Sequence, residues 1–203
     1  GTNVKAALDK GWAVALTDYQ GLGTPGFHTY MVKAAQAHAV LDSVRAAINL
    51  PDAGLSTESP VVLWGYSQGG AAAGAAAEEA PTYAPELQIK GAALGGVPGD
   101  LIALNDHLEG GLYGLALAAG FAYDAAYPDL DIDSLLNSAG RAEADKHFRD
   151  SSTGTCLTFL LTNYNGKRPS AYFTTPAMNV PGWPERMAEA KLGTVKPPMP
   201  IYQ

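Results

Sequence analysis

The chain has 203 residues, 47% hydrophobic and 16% charged, with a net charge of -7 and a pI near 4.9. That is enough apolar side chain for a sizeable core in one domain with a small appendage. The acidic balance, with no face of clustered Lys or Arg, excludes nucleic acid as a partner, and no apolar run reaches the ~20 residues of a membrane span.

In chain order, Gly1-Thr2-Asn3-Val4-Lys5 lacks the charged-then-apolar layout of a signal peptide, and Ala6 to Lys10 reads as a helix end stopped by Gly11. Trp12-Ala13-Val14-Ala15-Leu16-Thr17 is a short β-rich apolar run, expected to be a buried parallel strand. Asp18 to Gly26 is dense in glycine and proline; such loops lie at the carboxyl edge of parallel sheets, where ligands bind, so it is expected to border any site. Asp18 itself reads as a turn residue accepting backbone N–H groups. Thr29 is expected to cap a helix from about Tyr30 to Asn49, with Val40, Val44, Ala47 and Ile48 on one face and Pro51 as its stop. His28 and His38 receive no role, since a lone histidine is more often surface or satisfied core than catalytic.

Val61-Val62-Leu63-Trp64 is an apolar run leading into Gly65-Tyr66-Ser67-Gln68-Gly69, which is followed by the small-residue stretch Gly70 to Ala77. Gly-x-Ser-x-Gly alone is a weak signal, but a buried strand before it and a helix after it make a nucleophile elbow. In such a turn the serine backbone is strained and its hydroxyl stands clear of the sheet. Ser67 is therefore the candidate nucleophile. The backbone N–H of Gln68, at the positive end of the next helix, is the candidate oxyanion donor.

Ala80-Pro81 is expected to end that helix, and Ile89 to Gly95 is the next strand. Strand and helix thus alternate from Trp12 to Leu94, the pattern of a parallel sheet with right-handed crossovers. At Asp100 the rhythm breaks. Leu101, Leu104, Leu108, Leu112 and Leu115 recur at helical spacing, Asp131 to Phe148 reads as a second helix, and Leu157 to Leu161 is a short apolar piece. An insertion of roughly 90 residues is too long for a loop, so a helical subdomain is expected over residues 100–191, following residues 1–99 of the sheet core and placed to cover Ser67 as a cap. Its uncharged, glycine-rich stretch Leu112 to Phe121 reads equally as core or as pocket lining. Residues 192–203 read as a proline linker and the start of another core strand.

The expected chemistry is acyl transfer through a serine acyl-enzyme. No cofactor is called for, and no cluster of His, Cys and Asp ligands suggests a metal. In this architecture the triad runs nucleophile, acid, histidine. Only His107 and His147 follow Ser67, both inside the helical insertion, so a triad of Ser67, Asp124 or Asp145, and His147 is disfavoured. The chain is expected to be an internal portion of a longer fold. Cys156 is the only cysteine; it reads as a small buried hydrophobe or as half of a disulfide to a partner outside these residues.

Four blocks in order, Asp18-Tyr19-Gln20-Gly21, Gly65-Tyr66-Ser67-Gln68-Gly69-Gly70, Tyr83-Ala84-Pro85-Glu86-Leu87 and Gly91-Ala92-Ala93-Leu94-Gly95-Gly96, together with Val40 to Ala47, resemble the secretory lipase family of the lipase A type. The resemblance runs along essentially the whole chain. It implies an α/β-hydrolase with a helical lid and a secreted ester hydrolase acting on acylglycerols, with lipid or ester as substrate and transient contact with a lipid interface. It implies Ser67 as nucleophile and Gln68 N–H as one oxyanion donor. It places the second donor upstream of Gly1 and the acid and histidine beyond Gln203, so that N- and C-terminal segments of the same protein are the missing partners. It also favours a disulfide for Cys156. Alternatives are an esterase or acyltransferase acting on cell-envelope lipids, a serine peptidase, disfavoured by the apolar cap, and a non-catalytic lipid-binding relative.

Overall fold

A computed structural model describes residues 2–149 and 156–203. Helix α1 (Thr2–Asp9) ends as expected at Gly11, whose φ of 77° reverses the chain. Helix α2 (Lys33–Ile48) packs against α3 (Gln68–Tyr83), and strands β1 (Pro60–Tyr66), β2 (Gln88–Gly95) and β3 (Ile201–Tyr202) form one parallel sheet in that order. Between Val61↔Ile89 and Val62↔Gly91 the register shifts, leaving Lys90 of β2 unmatched. Only alanine and glycine line most of α3, so it can approach both the sheet and α2 closely, and Ala72, Ala75, Ala76 and Ala77 are wholly buried between them.

Several expectations are corrected. Trp12 to Thr17 belongs to no strand: β1 pairs on one edge with β2, and among the described residues nothing pairs with segment 12–17. Trp12 and Leu16 are consequently 56% and 75% exposed rather than buried. Thr29 does not cap α2, which begins later, at a Val32 cap without a side-chain hydrogen bond, because Met31, which would lie inside the expected first turn, takes a left-handed φ of 64° outside the helical region. The buried face of α2 is Gln36, Ala37 and Leu41, with Val40, Val44 and Ile48 packed at its margin. Pro81 lies inside α3 and cannot donate to the Ala77 carbonyl, yet the helix runs on to Tyr83 and stops at Ala84, before Pro85. Among the described residues Asp18 accepts no backbone bond; Thr17 Oγ1 takes the N–H of Tyr19 at 3.1 Å, and Thr24 Oγ1 that of Gly21 at 3.1 Å.

Beyond β2 the chain is helical. The leucine run breaks at Gly110 and Gly111 into α4 (Leu101–Leu108) and α5 (Tyr113–Ala126). Asp100 caps α4, its carboxylate accepting the N–H groups of Ile102 and Ala103 at 3.1 Å. The single helix expected over Asp131 to Phe148 is three pieces, a 3-10 turn at Asp133–Leu135, α6 (Ser138–Glu143) and a π turn at Ala144–Phe148. Asn137 caps α6 through the N–H of Gly140, so the chain restarts there instead of continuing. Two short helices follow, α7 (Leu157–Asn163) and α8 (Trp183–Ala188).

Two hydrophobic clusters result. One joins α2, α3 and the sheet around Leu41, Leu63 and the α3 alanines; the other gathers Tyr113, Phe121, Tyr123, Phe148, Tyr164 and Trp183 from the helical segment, and reaches the first region through Met31, Val32 and Ala71. Leu192 packs against both. Polar links also join the two regions. The Tyr123 hydroxyl donates to the Met31 carbonyl at 3.2 Å, and Glu78 of α3 accepts both Lys33 Nζ at 2.7 Å and the N–H of Gly193 at 2.6 Å.

Candidate active site

The carboxyl end of β1 runs straight into α3 with a single residue between them, Ser67, whose φ of 55° and ψ of -119° lie in territory costly for any side chain. The surroundings hold it there. Ser67 N donates to the Gly95 carbonyl at 2.8 Å and Ser67 O accepts from Ala71 at 3.0 Å, tying the turn to the end of β2 and to the first turn of α3. A Cβ on Gly65 would stand 1.9 Å from the Gly69 carbonyl oxygen, so the crossing of strand and helix admits no side chain there. At Gly69 the nearest atom to such a Cβ is the Tyr19 hydroxyl at 4.0 Å, so a side chain there meets open space. Ser67 is exposed, and Gln68 opens a helix whose first turn carries no acidic residue, leaving its free N–H groups and dipole unopposed.

The loop after segment 12–17 reaches the turn. Its Gly21 has a φ of 82°, and a Cβ there would meet the Phe27 carbonyl oxygen at 2.3 Å, so the loop closes on itself and directs His28 inward. His28 Nε2 lies 2.9 Å from the Gln68 side-chain nitrogen, and its Nδ1 lies 3.0 Å from the Gln20 carbonyl. Burial pushes the imidazole below its ordinary pKa, against the smaller opposing effect of these two hydrogen bonds. Sequence reasoning gave His28 no role; the one signal was its place at the end of a loop expected to border the site.

A cleft of about 440 Å³ opens between this loop, the start of α2 and the end of α5, lined by Gln20, Phe27, Thr29, Val32, Ala126 and Tyr127 among others. A second cavity of about 50 Å³ lies among the helices, against Tyr113, Ile132, Phe173 and Met178. The glycine-rich helix α5 is thus mostly core, with only its last turn at the cleft. Gly114 lets it touch α7, since a Cβ there would meet the Leu160 carbonyl at 2.6 Å.

The structure takes the histidines and acids of the insertion elsewhere. His147 faces Glu143 at 4.0 Å and lies against Phe159 with ring centroids 4.6 Å apart. Asp145 pairs with Arg149 at 2.7 Å, and Asp124 accepts the Ile132 N–H at 2.8 Å, its carboxyl pushed up by burial. Cys156 is an exposed free thiol preceding α7, which overturns its reading as a buried hydrophobe.

This arrangement of strand, strained serine and helix has known counterparts. The model of the family described as secretory lipase matches residues 1–191. The chain belongs to the secretory lipase family. Among its relatives are a Mycobacterium tuberculosis protein named a probable inactive lipase, 33% identical over 98% of this chain and 44% of its own length, and a secreted triacylglycerol lipase of Malassezia furfur, 33% identical over 66% of this chain and 27% of its own. The solved structure of Candida antarctica lipase A superposes with a TM-score of 0.73 at 28% identity, over 85% of this chain and 42% of that one. The fold is accordingly that of an α/β-hydrolase. The chain spans less than half the length of these three relatives.

Proposed function

We propose that the protein of which this chain forms part is a secreted serine carboxylic ester hydrolase cleaving acylglycerol-type esters, with Ser67 as nucleophile and the Gln68 N–H as one oxyanion donor. The observation that carries this is the Ser67 backbone, held at φ 55° between a parallel strand and a helix start, with the residue exposed. Residues 1–99 act as part of the hydrolase core, residues 100–191 as a lid over the carboxyl edge, and residues 192–203 as the return to the sheet. Ser67 Oγ attacks the ester carbonyl carbon while its proton passes to a histidine; the oxyanion accepts the Gln68 N–H; collapse expels the protonated alcohol and leaves an acyl-serine, which water then hydrolyses to the free acid. The histidine, its acid and the second oxyanion donor are supplied by polypeptide outside these residues, and Cys156 pairs there too. The partners are an ester or lipid and, transiently, its interface; nucleic acid is not among them.

The test is turnover by the complete protein of a soluble short-chain ester and of an emulsified triacylglycerol. Ser67→Ala is expected to remove at least about a thousandfold of kcat on both. The name of the Mycobacterium tuberculosis relative favours a second reading, a lipid-binding member without turnover. It predicts fatty-acid binding that Ser67→Ala leaves unchanged, with no ester hydrolysis by either form.

A further inference from the structure

Loop 18–29 is fastened to the serine turn through one buried side chain, His28, which is 3% exposed. A carbonyl can only accept, so the 3.0 Å contact to Gln20 puts the ring proton on Nδ1. The neutral ring then offers Nε2 as a lone pair, and the Gln68 amide must present its NH2 to it across 2.9 Å. With the Gln68 amide in this orientation, both contacts are satisfied by the neutral Nδ1–H tautomer. The titratable groups facing the ring are Tyr19 and Tyr30, each with its ring centroid 6.0 Å away, and burial pushes both phenols further up, so neither brings charge to the imidazole.

We infer that His28 is a positioning residue for the oxyanion site, acting through the Gln68 side chain to fix the peptide plane between Ser67 and Gln68. Gln68 is the first residue of α3, where the backbone N–H has no partner within the helix and its direction depends on the two torsions beside it. One of those torsions is the strained ψ of Ser67 at -119°. A side chain anchored on a second loop removes the freedom that would let this plane rock. The inference rests on the reading of Gln68 N–H as an oxyanion donor. An anchored donor acts on charge that develops only in the transition state, so its loss falls on kcat rather than on KM.

The test is single-turnover acylation and steady-state kinetics on the complete protein with a soluble ester. Gln68→Ala keeps the backbone N–H, deletes the anchor and sits at a half-exposed helix start, so it is the variant to rely on if His28→Ala fails to fold. Both are expected to lower kcat by about tenfold or more with KM little changed, and the double variant to lose no more than either alone. His28→Gln, whose carboxamide reaches the Nε2 position, is expected to restore part of the rate, while His28→Asn, which reaches only the Gln20 carbonyl, is not. Ser67 that reacts with a fluorophosphonate while His28→Ala and Gln68→Ala keep kcat within twofold of wild type would overturn the positioning role and leave the hydrolase reading standing. Rescue by His28→Asn but not His28→Gln would reduce His28 to a loop tie. A wild-type Ser67 inert to the probe would remove the reading on which the inference rests.

Discussion

The turn around Ser67 and the segment from Trp12 to Thr17 are both written in the sequence as parts of a parallel sheet, and only one of them becomes so. At the turn the contacts on the Ser67 backbone itself come from β1, α3 and the end of β2, within 30 residues: the Gly95 carbonyl, the Ala71 N–H and the missing Cβ of Gly65. Segment 12–17 has the composition of a strand, but a strand is defined by a neighbour, and among the described residues none pairs with it. Contacts from neighbouring elements can hold a strained torsion. Composition alone cannot impose a ladder.

Substitutions separate the two regions in decreasing order of effect. Gly65→Ala drives a Cβ into the Gly69 backbone and is expected to cost more than about 3 kcal/mol, read as failure to fold or a collapsed denaturation midpoint, whereas Gly69→Ala, with open space beside it, changes stability by about 1 kcal/mol or less. Glu78→Ala, which removes the carboxylate shared by Lys33 and Gly193 and leaves a half-buried ammonium only the Lys191 carbonyl, is expected to cost about 3 kcal/mol by urea unfolding.

A smaller effect comes from Asp100. Hydrogen bonding to Lys191 first, and then to the α4 backbone, holds its carboxyl below the ordinary carboxylate range. A depressed folded pKa means that the contribution is present above the unfolded value and lost as pH falls through the folded one. Thermal midpoints measured from pH 6 down to pH 2 should therefore fall less steeply in Asp100→Asn than in wild type. Smallest of all, Leu16→Ser is expected to shift the stability of this chain by no more than about 0.5 kcal/mol, because Leu16 is 75% exposed. A loss of about 2 kcal/mol or more would mean that segment 12–17 is packed after all and would break the comparison.

The same contrast explains what could be read in advance. Gly65 to Gly69, the strand before it, the strand at Ile89 to Gly95 and the start of the small-residue helix were legible because each is coded by neighbours in sequence. The helical character of the region after Asp100 was legible from leucine spacing, while its breaks were not, since Gly110, Gly111 and the Asn137 cap interrupt periodicity only through their own local bonds. Pro81 misled because the helix continues past it to Tyr83 and stops only before Pro85. The link from His28 to Gln68 spans 40 residues and that from Lys33 to Glu78 spans 45, and no pattern along the chain announces either. Exposure of Cys156 was equally hidden, as burial depends on what stands beside a residue in space.

The account turns on whether the hydroxyl held at this turn is chemically reactive. The most direct measurement is peptide mapping of the complete protein after incubation with a fluorophosphonate ester. The account predicts one adduct, on the peptide spanning Val61 to Ala77 and localised to Ser67, formed faster than in Gln68→Ala and absent in Ser67→Ala. An adduct on a different serine, or none in a protein that hydrolyses esters, would contradict it.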